Sequence, residues 1–404
     1  MTQILNGVRV LEVAEYGFVP SAASVLGEWG ADVIKVEHAA RGDQTRRLYS
    51  FDVGPGAGGF APMWEPFNRS KRAIGVDIAI PAGREVILEL AQRADVFITS
   101  FLPAARRKLG IEVDDLRAAN PSLVYARGSA NGQLGPDAER GGFDSLHFWQ
   151  RSGVASAVSL GSPTPIQLPG IGFGDIQSGI SLAGGIVGAL FHRERTGEAL
   201  EVDTSLLAQG FWAASASLVA LNLVGREQKP LFDRKKLVNP LTNTYRTADD
   251  RWIVFAMVES DRYWARFCAV IGHEELRDDP RFADAAARAE NAAACIAVLD
   301  EIFASKPLAH WEPRLARQDG QYAISRQYGE LNRDEQAWAN HYLQQVDYGD
   351  GRSLTLVSAP VQFNREPSDL RPAPDFGQHT DEVLGELGHS QEDIARLRGL
   401  RAIS

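Results

Sequence analysis

The residues with the clearest chemical potential lie in Gly170-Ile-Gly172-Phe-Gly174-Asp175-Ile-Gln-Ser-Gly179. There a single carboxylate stands between glycines and the start of a long apolar stretch. Asp175 has two compatible uses in such a setting. It can cap a helix, a role asparagine would fill as well. It can also act as a reactive carboxylate, kept ionised by the helix N-terminus and open to a substrate carbonyl through the preceding glycines. Two basic runs, Asn68-Arg69-Ser70-Lys71-Arg72 and Arg106-Arg107-Lys108, adjoin strand-like segments. They read either as solvated charge runs or as a cradle for a phosphate-bearing cofactor, and their place near neighbouring strands favours the cradle.

Other motifs fail on context. Gly54-Pro-Gly-Ala-Gly-Gly59 fits G-x-G-x-x-G, but no strand precedes it and no helix follows, so it reads as a loop. Gly179-Ile-Ser181-Leu-Ala183 approaches a serine-hydrolase elbow yet falls inside a helical pattern. The eight histidines form no H-E-x-x-H and no metal-spaced Cys/His pairs, and there is no Walker A sequence. Zinc hydrolases and P-loop enzymes drop out, and no metal is expected. A net charge of −10 over 404 residues argues against nucleic acid or an anionic membrane as the main partner. Two cysteines, Cys268 and Cys295, make no disulfide framework and suit a reducing cytosol. Arg9, Glu12 and Glu15 interrupt the first apolar stretch, so a signal peptide is not expected, and no apolar run is long enough to span a membrane. A cytoplasmic location follows as the expectation.

The elements that must position these residues alternate in the N-terminal half. Strands are expected over 8–13, 31–37, 73–78, 95–100 and 123–126, with helices over 20–29 and 81–94 between them. Such alternation implies right-handed crossovers and a parallel sheet, with ligands at the carboxyl ends of its strands. A glycine-rich helix over 176–195 and an apolar helix over 205–224 follow. Glycine costs a helix about 1 kcal/mol relative to alanine, so Gly179, Gly184, Gly185 and Gly188 point to close backbone packing. Texture changes at residue 225, where a strand over 252–257 and short helices suggest a smaller domain over 225–335. The tail holds a strand over 354–357, a proline-rich stretch over 360–374 and a helix from Thr380.

These segments, in this order, resemble the class III CoA-transferase family, which includes formyl-CoA and carnitine CoA-transferases and α-methylacyl-CoA racemases. The resemblance is carried by Gly7-Val-Arg-Val-Leu-Glu12, Gly30-Ala-Asp-Val-Ile-Lys-Val-Glu37, Gly42-Asp-Gln-Thr-Arg46, Asn68-Arg-Ser-Lys-Arg72 and Lys108-Leu-Gly110. It continues through Gly174-Asp175, Arg195-Thr-Gly197, Val202-Asp-Thr-Ser-Leu206 and Gly377-Gln-His-Thr-Asp-Glu-Val-Leu384, covering essentially the whole chain. It implies an α/β fold with a Rossmann-like large domain built from both chain ends (1–224 and 336–404), a small α+β domain between them, and an interlocked homodimer. It implies that CoA passes from an acyl-CoA donor to a small carboxylic acid. Asp175 would be the nucleophile, forming a mixed anhydride and then an aspartyl-CoA thioester, with the helix terminus stabilising oxyanions.

The resemblance also implies that Tyr16, Val76, Ser100, Phe101 and Lys108 line the CoA crevice. His38 and Arg41 stand where relatives place arginine for the CoA phosphates, and Arg140 is a further basic candidate. Phe18-Val19-Pro20 replaces the usual Ala-Gly-Pro, which suggests a bulkier loop over the acyl group. Trp64, Phe148 and Trp149 hint at an apolar or aromatic acid. The loops at Gly17–Val19 and Gly54–Phe60 are expected to set pocket selectivity. The racemase branch needs a histidine directly before the aspartate of the Gly142-Phe143-Asp144 turn. Phe143 cannot move a proton and His147 reads as structural, so a transferase is favoured. Racemase or epimerase activity, or CoA binding without turnover, stand as alternatives.

Overall fold

The computed structural model describes residues 2–48, 62–159, 162, 164–225, 233–349 and 351–404. The Gly54–Gly59 motif and the expected Gly54–Phe60 loop lie outside the described residues. Six strands, β1 (Arg9–Val13), β2 (Asp32–Glu37), β3 (Arg72–Gly75), β4 (Val96–Thr99), β5 (Val124–Ser129) and β6 (Glu201–Ser205), form one sheet in the order β3-β2-β1-β4-β5-β6. Every neighbouring pair is parallel, with Leu11 opposite Ile34 on one side and Phe97 on the other. This is the doubly wound order, and it reverses direction between β1 and β4. All carboxyl ends therefore share one edge, and the β1/β4 switch point on it is where sheets of this order place their ligand crevice.

The sheet is buried on both faces because successive side chains alternate. Val10, Val33, Val96 and Val124 pack on one side, against α1 (Phe18–Glu28) and a long helix described below. Leu11, Ile34, Phe97 and Tyr125 point the other way, onto helices that flank the strands. α2 (Trp64–Asn68) packs against α1, and the flanking helices on this second side are α3 (Pro81–Arg93), α4 (Pro103–Leu109) and α5 (Val113–Ala119). A π-helical turn over Ser145–Arg151 and α6 (Val154–Val158) lead into α7 (Phe173–Thr196), which returns to β6. Tyr125 shows how tightly this side is closed, since its buried hydroxyl donates to the Ile111 carbonyl at 2.7 Å.

Three local readings needed correction. β6 reads as polar because it is an edge strand, its Glu201 and Asp203 pairing with Arg127 at 2.5 and 2.7 Å. The apolar helix expected over 205–224 breaks at Ala214 into α8 (Leu206–Ala213) and α9 (Ser215–Val224), bent by 60°. No single described helix is long and apolar enough to cross a membrane. Phe18 and Val19 are not a loop over the acyl group. They begin α1 and are buried against Gly128, where an added Cβ would lie 2.8 Å from the Phe18 ring.

By contact density the chain divides into two compact units, Met1–Gln228 with Glu335–Ser404, and Lys229–Asp334. In the first, the C-terminal segment returns to the sheet. Helices over Thr380–Leu387 and Gln391–Gly399 cover one face, and Ile403 bridges to Val76 beyond the end of β3. A hairpin of Leu343–Asp347 and Ser353–Val357 precedes them, the first of these strands having gone unread in the sequence. The second unit has a three-stranded antiparallel sheet and a core of Tyr245, Phe255, Phe267, Phe303 and Trp311. Cys268 and Cys295 are buried in it, and burial pushes both thiols up to about 12, so they behave as small apolar side chains.

Candidate active site

Asp175 lies at the switch-point crevice, three residues into α7. The helix begins earlier than expected because Gly172, at φ +67°, supplies its N-cap conformation. A Cβ at that glycine would meet the Phe67 ring at 2.5 Å. The hydrogen-bonding part of the cap comes from far away in sequence. Asp144 Oδ2 accepts from the Gly174 N–H at 3.0 Å, Asp144 also accepts from the Asp175 backbone, and its Oδ1 accepts from the Ser145 N–H at 2.7 Å. Asp175 is thus not a helix cap; Asp144 does that work.

The consequence is electrostatic. Asp144 occupies the N–H groups through which the helix end would favour an anion, and adds a second negative charge beside the first. The partly buried Asp175 carboxyl accepts no hydrogen bond and faces no cation among the described residues. Burial, and then the Asp144 charge, push its pKa up to about 8 from an ordinary 3.8. Burial raises Asp144 as well, against its backbone hydrogen bonds. The expected lowering of the Asp175 pKa by the helix terminus is therefore overturned. At the same terminus the Gly174 and Asp175 N–H groups are engaged by Asp144 and that of Ile176 donates to the Gly172 carbonyl at 2.9 Å.

Two glycines bring Asp175 to the crevice. At Gly17, just past β1, an added Cβ would overlap Asp175 Oδ2 and lie 3.0 Å from its Cβ and Cγ. At Gly179 it would collide with Ser21 Oγ and come within 2.9 Å of the Ala22 nitrogen. The α1–α7 contact is close enough for Ser21 Oγ to donate to both the Phe18 and Asp175 carbonyls, at 2.8 and 3.2 Å. Close packing accounts for Gly179 and for Gly185 against Val202. Gly184 and Gly188 face open space within this chain. Tyr16, before Gly17, holds φ at +68°, an uncommon conformation for a bulky residue and one that concentrates at functional sites.

The other expected site residues fall along the same carboxyl edge, with different freedom to bind. Ser100 ties β4 to β1, its hydroxyl accepting from the Glu15 N–H at 3.1 Å and approaching the Glu15 carbonyl at 3.3 Å. Phe101 follows it. His38 and Arg41 follow β2: His38 Nδ1 accepts from the Ala40 N–H at 3.1 Å with Nε2 3.8 Å from Asp77, while the Arg41 side chain is exposed with no carboxylate partner among the described residues. Val76 is buried, with its side chain in the core and its N–H bonded to the Glu37 carbonyl at 2.8 Å. Arg140, in the loop after β5, pairs with Asp137 at 3.0 Å.

The first basic run is engaged by carboxylates of this chain, and in the second only Lys108 is left unpaired. Arg69 pairs with Glu28 and Lys71 with Glu12, each at 2.6 Å, and Arg72 spans Asp32, Glu382 and Glu386. Arg106 and Arg107 pair with Glu112 and Glu139, leaving Lys108 exposed and without a carboxylate partner among the described residues. Lys71 belongs to a buried network in which Lys35 bridges Glu12 and Asp43 at 3.0 and 2.8 Å. Trp64, Phe148 and Trp149 are buried, so they do not line a pocket mouth.

Sequence reasoning named Asp144 only as part of the Gly142–Asp144 turn and Gly17 only as part of a selectivity loop, and gave neither a contact with Asp175 or its helix. The bond from Asp144 to the Gly174 N–H spans 30 residues and leaves no local signal in the sequence. A glycine just before a helix at a strand end was a signal for Gly17.

Comparison with known proteins agrees with this architecture. The model of CoA-transferase family III matches residues 5–380. The chain is 31% identical to an (R)-2-hydroxy-4-methylpentanoate CoA-transferase of Clostridioides difficile, over 99% of both chains. It is 29% identical to a cinnamoyl-CoA:phenyllactate CoA-transferase of Clostridium sporogenes, over 98% of this chain and 96% of the relative. The crystal structure of a CaiB/BaiF family protein from Brucella suis superposes with a TM-score of 0.81 at 27% identity, covering 96% of this chain and all of that one. The chain belongs to CoA-transferase family III.

Proposed function

We propose that this CoA-transferase works through covalent intermediates on Asp175. The observation that carries the reading is a partly buried carboxylate, at the switch-point crevice, with neither a capping role nor a charge partner among the described residues. A carboxylate held without partners is destabilised unless function requires it, and its raised pKa makes the ionised form more basic and more nucleophilic. With its pKa pushed up to about 8, the carboxyl is mostly protonated at neutral pH.

In the first step an Asp175 oxygen bonds to the thioester carbonyl carbon and the C–S bond breaks, leaving a mixed anhydride and CoA thiolate. The thiolate then attacks the Asp175 γ-carbon, releasing the donor acid as its carboxylate with one oxygen from Asp175. That leaves an aspartyl-CoA thioester. The acceptor carboxylate attacks the same γ-carbon and expels thiolate, and thiolate attack on the acceptor's carbonyl returns Asp175 as a carboxylate. Dividing one transfer into several acyl exchanges is what a covalent catalyst supplies.

The CoA moiety lies, in this reading, along the carboxyl edge past Tyr16, Ser100 and Phe101, with the Val76 carbonyl nearby. Arg41 and Lys108 are the cations free to meet its phosphates, and His38 and Arg140 stand nearer existing acids. A homodimer is supported by α9, an apolar helix none of whose residues is buried in this chain, and by Trp212 and Leu223, 79% and 82% exposed. Interlocking of the two chains accords with a first unit assembled from both chain ends. The relatives whose names state an acid handle branched or aromatic ones in two cases and dicarboxylates in others.

The test is transfer by Asp175→Asn. Asparagine keeps the size, so folding is preserved while transfer between an acyl-CoA and a carboxylic acid, followed by mass spectrometry, drops at least about a thousandfold. Near wild-type transfer would refute the reading. Incubations with a 2-methylacyl-CoA in heavy water show no catalysed uptake of deuterium at the α-carbon, since Phe143 offers no proton relay; uptake at the rate of turnover would instead support the racemase alternative.

A further inference from the structure

The aromatic pair at the mouth of the Asp175 site is unused by the transfer steps. Phe143 precedes Asp144, is 52% exposed, and meets Tyr16 edge-on with ring centroids 5.3 Å apart. Tyr16 precedes Gly17, the residue in contact with the Asp175 carboxylate. Each ring thus stands one residue from a group that touches Asp175 or caps its helix, one on each side. Ile176, next to Asp175 on α7, adds further exposed apolar surface.

The charges nearby have one sign. Asp144 is the charge that acts on Asp175. Of the described cations, Arg151 is committed to Asp137 at 2.8 Å and Asn131 at 2.7 Å, Arg140 to Asp137, and Arg106 to Glu112, while the unpaired Arg41 and Lys108 are not among the charges that act on Asp175. Lys71 Nζ is enclosed by Glu12 and the Pro20 and Phe67 carbonyls. His147, its ring packed against Gly142, has its pKa lowered by burial and by Arg151, so it is neutral near neutral pH. A second carboxylate brought to this mouth would lose its hydration, face Asp144 and gain no cation.

We infer that the acyl group handled at Asp175 is that of an apolar or aryl monocarboxylic acid, and that Phe143, backed by Tyr16, selects it against dicarboxylates. The inference rests on Asp175 being the site of acyl transfer.

The test uses 3-phenylpropanoyl-CoA as donor, with hexanoate and glutarate as competing acceptors and product thioesters quantified by mass spectrometry. Wild type favours hexanoate by at least about tenfold in kcat/KM. Phe143→Arg places a cation at the mouth without disturbing the core, since the side chain is half exposed, and narrows that preference by about tenfold or more. The ratio is the readout because a general loss of folding or CoA binding would scale both acceptors alike. Equal use of glutarate by wild type, or an unchanged ratio in Phe143→Arg, overturns the inference while leaving Asp175-dependent transfer standing. Absence of transfer from any donor in a broader panel of acyl-CoA thioesters and acids removes the underlying reading as well.

Discussion

Replacing the central residue of the site should make the protein more stable, and more so as the pH rises. Asp175 titrates near 8 in the folded chain and near 3.8 as an ordinary aspartate. Between those values the folded chain holds a proton that the unfolded chain has lost, so stability falls with rising pH across the window and the full penalty applies above about 8. One pKa unit corresponds to about 1.36 kcal/mol, which sets a ceiling of roughly 4 kcal/mol for the change between about pH 5 and pH 8.5. Water reaching the partly exposed carboxyl reduces this to roughly 2 kcal/mol. Asp175→Asn cannot ionise and escapes the penalty. Thermal unfolding of both proteins at matched scan rates, at about pH 5 and pH 8.5, should show the variant's advantage in Tm growing by several degrees at the higher pH. Taking the difference of differences cancels every other titrating group. Parallel Tm–pH curves, or a wild type that gains on the variant as pH rises, would refute the electrostatic reasoning.

Two further substitutions probe the neighbours. Gly17→Ala puts a methyl group into the space of the Asp175 carboxylate, so transfer should fall by about a hundredfold or more with little change in Tm; retained activity would show that the contact does not fix the nucleophile. Asp144→Asn keeps an oxygen acceptor for the α7 turn but removes the like charge, lowering the Asp175 pKa. Wild-type kcat/KM should fall as pH drops below about 8, and this limb should move to lower pH in the variant, read from a pH–rate profile; an unmoved limb would separate the two carboxylates.

The parallel sheet was legible in the sequence for physical reasons. Strands such as Val96–Thr99 are buried on both faces and read as unbroken apolar runs, and proline at the start of α3 marks its first turn. β6 was not legible, because an edge strand paired through Arg127 carries acids where a central strand carries valine. The first basic run misled for a related cause: a run of cations looks the same whether it faces phosphate or, like Lys71 and Arg69, buried glutamates from distant segments. Asp175 itself was read with the wrong sign of pKa shift. A helix N-terminus favours an anion only while its N–H groups are free, and Asp144, supplied from another part of the chain, had taken them.

The central claim is that acyl groups and CoA become bonded to Asp175 during turnover. Hydroxylamine added during steady-state transfer should cleave the aspartyl-CoA thioester and leave a hydroxamate, detected as a mass shift confined to the peptide containing Asp175 and dependent on acyl-CoA. Modification of that residue in step with loss of activity is the result expected. Full activity with an unmodified Asp175 peptide, or a hydroxamate on a different carboxylate, would contradict the account.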